Sequence, residues 1–344
     1  MDKQEGKFKK ITLVLTQKCM LSCDYCEAPK SNFSMSRDIL EKTFVLLSNF
    51  YKEKYISVKF FGGEPLIEFP LIKRAISICK KLDDIQRYDF SIFTNGVLLN
   101  KIDLKFLAEN NIRLLISIDG DSKTTSTHRK GMGINAYNNI INVLPKLKSL
   151  GIRFDAEVTV SPYTVNKLSN NYIHLVNLGF QFIDLVPVLC TTNSRFKWTL
   201  STLRIFKEEL NKIGKIYLKF KNYYSLGNLW IYCKQSKEGL GFIELSDRKI
   251  TVDTDGGIYI GDSFLLLDKR QRKKFKVRDI QKIKSSKILE KLYKKYIDNK
   301  KFFLSCILKN PFVIKCSKHP TVKILNEEMG RINKLLDTYE KRAN

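Results

Sequence analysis

The sequence predicts an α/β fold, a partial (β/α)6 TIM-like barrel over residues 8–195 with a smaller C-terminal α+β extension over residues 196–344. Two observations predict it. Six strand-like runs alternate with amphipathic helical stretches between Ile11 and Val188, across short connections that call for parallel strands and right-handed crossovers. The unusual tracts of this half also follow directly on strand runs, at the end where such barrels carry their chemistry.

Taken in order, Ile11–Leu15 is a short β-branched run that leads into Cys19, Cys23 and Cys26. A helix follows over Arg37–Tyr51, with Ile39, Leu40, Phe44 and Leu47 on one side and Ser36 as its N-cap. Strand Ile56–Phe61 runs into Gly62-Gly63-Glu64-Pro65, and helix Phe69–Leu82 into strand Tyr88–Phe93 and Thr94-Asn95-Gly96. Helix Asp103–Asn111 precedes strand Arg113–Ile118 and Asp119-Gly120; helices Ala136–Leu150 and Val165–Leu178 alternate with strands Arg153–Val160 and Gln181–Val186. The rhythm then stops. A long helix over Thr199–Phe220 is followed by a hairpin, Lys249–Val252 and Gly257–Ile260 around Asp253-Thr254-Asp255-Gly256, and by a helix over Ile280–Tyr296.

A chain of 344 residues supports a large core, and 43% hydrophobic with 28% charged residues is a globular composition. No apolar stretch approaches the roughly 18 residues that cross a bilayer, and Met1–Glu5 lacks the apolar core of a signal peptide. The expectation is a cytoplasmic protein with no membrane partner, whose eight cysteines serve metal ligation rather than disulfides. The net charge of +26 divides into +8 over residues 1–195 and +18 over residues 196–344. Such a field recruits a polyanion, either nucleic acid or an acidic peptide, unless the lysines only coat solvated helix faces.

The C-x3-C-x2-C spacing of Cys19, Cys23 and Cys26 puts three thiolates on one loop. A structural zinc site takes four protein ligands, and an electron-transfer [4Fe–4S] cluster normally takes four cysteines. Three therefore leave one iron of a four-iron cluster open to a ligand that is not protein. Gly62 and Gly63 remove side-chain bulk where backbone approaches a ligand, and Glu64 offers a carboxylate beside them. Cys79 sits among Ile76, Ile78 and Leu82 and reads as core, while Cys190 after the sixth strand is open to either role.

The cysteine loop, with Tyr25 before its last cysteine, resembles the signature of the radical S-adenosylmethionine (SAM) superfamily. The resemblance implies a [4Fe–4S] cluster on Cys19, Cys23 and Cys26 whose open iron chelates SAM, and one-electron cleavage of SAM to a 5′-deoxyadenosyl radical. Gly62-Gly63-Glu64 matches the tract that contacts the SAM amino group in that family. Ser117-Ile118-Asp119-Gly120 resembles the strand-four segment of members with a SPASM or Twitch extension, where the serine lies near the SAM ribose and methionine. His128-Arg129-Lys130-Gly131 resembles the place where those members set an arginine facing the SAM carboxylate, a task that suits a bidentate guanidinium. Asn95, Tyr25 and Asp119 complete the implied cofactor pocket, and His128 receives no role.

The likeness to the extension is looser. Cys233 precedes the hairpin, and Cys306 and Cys316 follow the helix with His319 close behind, but Gly261 stands where the family's hairpin cysteine belongs. Two full auxiliary clusters are excluded by ligand count. One cluster on Cys233, Cys306 and Cys316 with a non-cysteine fourth ligand, or an extension that only shapes the pocket, both stay open. Asp262 resembles the general base of sulfatase-maturing members, and competes with itself as that fourth ligand. The implied substrate is a peptide or protein, such as a ribosomally made natural-product precursor. No separate peptide-recognition domain fits before Ile11, so an acidic leader would be read by the catalytic domains or a second protein. Electrons would come from an external donor such as flavodoxin or ferredoxin. Open alternatives are radical SAM chemistry on a small molecule or RNA, and a basic iron–sulfur protein that binds nucleic acid.

Overall fold

The computed structural model describes residues 10–26, 28, 30–50, 56–82, 85–188, 196–220, 225–226, 249–260, 273, 276–283, 327 and 331. The alternation appears as expected: β1 (Lys10–Thr16), α1 (Arg37–Phe50), β2 (Ile56–Gly62), α2 (Phe69–Leu82), β3 (Tyr88–Thr94), α3 (Leu104–Glu109) and β4 (Arg113–Ser117). It continues through α4 (Ser122–His128), α5 (Ala136–Ser149), β5 (Phe154–Val160), α6 (Leu168–Asn177), β6 (Phe182–Pro187), α7 (Leu200–Phe220) and β7 (Ser225–Leu226). The hairpin β8 (Lys249–Val252) and β9 (Gly257–Ile260) and the short β10 (Arg278–Asp279) complete the described strands. Among the described residues no helix is long and apolar enough to cross a membrane.

All the described strands lie in one open sheet ordered β10-β9-β8-β1-β2-β3-β4-β5-β6-β7, with β1 to β6 parallel to their neighbours. The sheet does not close, so the barrel is partial. Period-two alternation divides each strand between two faces. Ile11, Leu13, Val58, Phe60, Ile92, Ile116, Val158 and Leu185 enter the main core, which the helices cover. The intervening positions, among them Phe61, Phe93, Ser117, Glu157 and Thr159, face a cavity. A fully packed parallel sheet would carry apolar residues on both faces; here the inner face mixes Phe61 and Phe93 with polar side chains where it lines a cavity.

Local chemistry accounts for the helix starts. Ser36 Oγ accepts from Ile39 N at 3.2 Å, as the N-cap reading requires, and Asp103 accepts from Phe106 N at 3.2 Å. Helix α4 was not expected: Ser-Lys-Thr-Thr-Ser-Thr-His has weak helix propensity. It forms because Asp121 caps Thr124 N at 2.7 Å and because Thr124 and Thr125 hydroxyls tie it to Asn171 Oδ1 and Gly120 O at 3.3 and 3.2 Å. Cys79 is buried in the core, as its neighbours indicated.

The hairpin falls where the sequence placed it, with Asp253 N donating to Gly257 O at 2.9 Å and Gly256 at φ +80° in the turn. Strand β8 pairs in parallel with β1, Lys10 opposite Lys249 and Leu13 opposite Val252, so this part of the extension continues the barrel sheet. The helix expected from Ile280 does not start there. Arg278 and Asp279 pair with β9, Ile280–Lys282 make a single 3-10 turn, and Ile283 is extended.

Candidate active site

The cysteine loop leaves the end of β1 and is fastened to the end of β2. Gly63 N donates to Thr16 O at 2.8 Å and Glu64 N to Lys18 O at 2.8 Å. A Cβ on Gly62, at φ +142°, would lie 2.2 Å from Thr16 O, and one on Gly63 would lie 2.3 Å from Lys18 O. The two glycines thus permit close approach of the cysteine-loop backbone. They also line the cavity, together with Cys19, Cys23 and Cys26.

That cavity, of about 200 Å³, opens at the carboxyl ends of the strands. Its wall includes Tyr25, Thr94, Asn95, Ser117 and Arg129 as well as the three thiols. Leu21 N donates to Cys19 Sγ at 3.4 Å and Asn95 Nδ2 approaches the same sulfur at 3.6 Å. Burial pushes the Cys19 thiol up and the Cys23 thiol up to about 11, with the Arg129 charge the main opposing influence on Cys23. Half-buried thiols such as Cys19 and Cys23 become thiolates more readily beside a cation, here Arg129 for Cys23. Among the described residues no fourth thiol lines this cavity. The donor set therefore fits a [4Fe–4S] cluster with one iron left for another ligand.

Glu64 departs from expectation. Its side chain is fully buried and does not line the cavity. It accepts from Leu66 N at 3.0 Å, Thr94 Oγ1 at 2.8 Å and Asn95 N at 2.7 Å. Burial pushes its pKa up to about 7, against the pull of those three donors. The carboxylate caps the turn Pro65–Glu68 and pins the end of β3, which turns Asn95 towards Cys19. It is a positioning group, and the GGE tract offers the cavity its glycines.

Asp119 departs in the same way. It is buried behind the wall, where Oδ2 accepts from Tyr25 Oη at 2.7 Å and Arg129 Nε at 3.0 Å. Its Oδ1 accepts from Arg129 Nη2 at 2.8 Å and Thr159 N at 2.9 Å. Arg129 is only 7% exposed. Its Nε and Nη2 are committed to Asp119, so that fork is not open for a bidentate grip on a ligand carboxylate. Burial alone would lower the Arg129 pKa; the Asp119 charge and hydrogen bonds outweigh it and hold the guanidinium charged. Burial also raises the Tyr25 pKa well above that of an ordinary phenol.

Sequence reasoning missed two residues here. His128 is buried with Nε2 2.8 Å from Ser161 Oγ and Nδ1 3.5 Å from Asp24 Oδ2. Its segment lies along the cysteine loop, with Ser22 N donating to Lys130 O at 2.6 Å and Asp24 N to His128 O at 3.0 Å. Glu157 lines the cavity and accepts from Ser117 Oγ at 3.2 Å. The alternation in Phe-Asp-Ala-Glu-Val-Thr-Val carried that signal. Asp262, Cys190, Cys233, Cys306, Cys316 and His319 lie outside the described residues.

Residues 13–178 match the model of the Radical SAM superfamily, a family that works with a [4Fe–4S] cluster and SAM. A cysteine-type anaerobic sulfatase-maturating enzyme of Clostridium perfringens is 24% identical over 272 residues, which cover 73% of each chain. The solved structure of native anSMEcpe with bound AdoMet and the Cp18Cys peptide shares the fold at a TM-score of 0.75 and 18% identity, covering 96% of this chain and 99% of that one. Streptococcus suis SuiB bound to its precursor peptide SuiA shares it at a TM-score of 0.57 and 16% identity, over 77% and 62% of the two chains. Open sheet, three-thiol cavity and these matches agree: residues 13–178 are a radical SAM domain, and the chain is similar to anaerobic sulfatase-maturating radical SAM enzymes.

Proposed function

We propose that the enzyme abstracts hydrogen from a peptide or protein and thereby modifies it, as in the maturation of a ribosomally made precursor. The convergence of Cys19, Cys23, Cys26 and Arg129 on one cavity of an open barrel carries this reading. The peptide is favoured by the company the fold keeps: anSMEcpe and SuiB each hold a peptide in their solved structures. When bound, the cluster and SAM supply reductive C–S cleavage and hydrogen abstraction. The chain's own residues hold and shield. Cys19, Cys23 and Cys26 hold the cluster. Asn95 and Leu21 N direct N–H groups at Cys19, as hydrogen bonds to cluster sulfurs tune potential. Arg129 and Ser117 line the place for SAM, with Asp119 and Tyr25 setting the guanidinium.

The same reading keeps the barrel at residues 8–195 as the catalytic unit and residues 196–344 as the substrate unit. An auxiliary cluster on Cys233, Cys306 and Cys316, a base at Asp262, an acidic leader and a flavodoxin- or ferredoxin-like donor belong to it. Asp262→Asn separates two of these: a base variant keeps its iron and loses product, whereas a ligand variant loses iron. The main test is the triple substitution Cys19→Ala, Cys23→Ala and Cys26→Ala. It should remove about four irons per chain and abolish 5′-deoxyadenosine formation from SAM and dithionite. Continued formation in the triple variant refutes the reading.

A further inference from the structure

The acidic side chains around the cavity have their partners supplied by the protein, with one exception. Asp119 is saturated by Arg129, Tyr25 and Thr159. Glu64 is saturated by Leu66, Thr94 and Asn95. Asp24 has Lys130 at 3.0 Å, and Asp155, one layer below on the same strand, has Arg113 at 3.7 Å. Glu157 lines the cavity itself, and among the described residues its side chain is bonded only to the Ser117 hydroxyl, through Oε2. The carboxylate keeps acceptor capacity towards the cavity that one hydroxyl does not use, and a ligand that brings a cation can take it.

Position distinguishes which ligand. The cofactor side of the cavity is built at the ends of β1 to β4, by the cysteine loop, Gly62, Gly63, Asn95 and Ser117, with Arg129 beyond them. Glu157 stands on β5, past that set, and its register partner on β6 is Asp184. Ile183 and Leu185 enter the core, so Asp184 falls on the cavity-side face of the strand.

Resting on the peptide reading above, we propose that Glu157 is a specificity-determining residue that takes a protonated nitrogen of the substrate, a lysine ammonium or an arginine guanidinium, beside the residue from which hydrogen is removed. The cationic residue of the substrate is thereby placed against β5, across the cavity from the cysteine loop.

The test uses the reconstituted holoenzyme with SAM and three synthetic peptide pools, identical except for lysine, glutamine or glutamate at a fixed central position. Binding is read by fluorescence anisotropy. The lysine pool should bind the wild type about tenfold tighter than the glutamine pool, the worth of one charged hydrogen bond. Glu157→Gln should bring that ratio to about one, and Glu157→Lys should turn the preference towards the glutamate pool, by the same charge arithmetic. Equal binding of the pools by the wild type, including none at all, overturns the proposal. So does a ratio unchanged in Glu157→Gln, and a loss of SAM affinity alongside an unchanged ratio would assign the residue to the cofactor instead. Failure of the wild type to form 5′-deoxyadenosine would sink the underlying reading separately, since that assay contains no peptide.

Discussion

Arg129 donates through Nε and Nη2 to the two oxygens of Asp119, at 3.0 and 2.8 Å, in a pair that is almost wholly buried. Removing one member of such a pair leaves a buried charge without compensation. Asp119→Asn should cost about 3–5 kcal/mol of stability, read by urea unfolding of the apoprotein. Arg129→Lys keeps the charge but loses the fork and the stack on Tyr25. SAM affinity should fall by about 1.5–3 kcal/mol in that variant, measured by calorimetry on the reconstituted enzyme. Undiminished SAM binding would show that Arg129 does not serve the cofactor.

Glu64 should leave a signature in the pH dependence of stability. Burial holds its folded pKa at about 7, above the ordinary glutamate value of 4.5. The folded state therefore holds a proton that the unfolded state has released between these values, and stability falls as pH rises from about 4.5 to about 7. The loss attributable to this group is on the order of 3 kcal/mol, and Glu64→Gln should flatten the profile in that window. Parallel profiles for the two proteins would place the titration elsewhere.

A Cβ at Gly62 meets a backbone oxygen that cannot move aside without opening the β1–β2 junction. Gly62→Ala should destabilise by about 1–3 kcal/mol or more and lower iron incorporation together with it. Gly133 is also at positive φ but has open space around it. Gly133→Ala should show only the conformational cost, about 1–2 kcal/mol, and keep its iron.

His128 is held neutral, its pKa lowered by burial against the raising effect of Asp24. A folded pKa below the unfolded one means that this residue costs stability as pH falls from the unfolded value towards and through the folded one. His128→Gln retains hydrogen bonding without titrating. Its apoprotein should lose less stability than the wild type between pH 7 and pH 5, roughly the range of an ordinary histidine, as followed by thermal unfolding at fixed pH values.

Much of this architecture was legible. The strands announced themselves as β-branched runs closed by Gly62, Asn95-Gly96 and Asp119-Gly120, and the hairpin by Asp255-Gly256. What a sequence does not display is where a carboxylate turns. Glu64 and Asp119 each stand at a strand end, and their burial depends on donors supplied from other loops. Helix α4 was invisible because its stability resides in a cap and in threonine hydroxyls bonded to Asn171 and Gly120 rather than in propensity. The pairing of Lys10 with Lys249 joins residues from opposite ends of the chain, and no local pattern encodes it.

That last pairing sets an order on events during synthesis. The strand that carries the cysteine loop keeps one edge of unpaired N–H and C=O groups until residues 249–252 have been made and docked beside it. A contact of such sequence separation forms slowly, and a chain halted at residue 195 would present that edge to any other strand it met. Iron therefore arrives at a loop whose supporting strand matures late, and the last third of the chain acts on the first site as a condition of its completion.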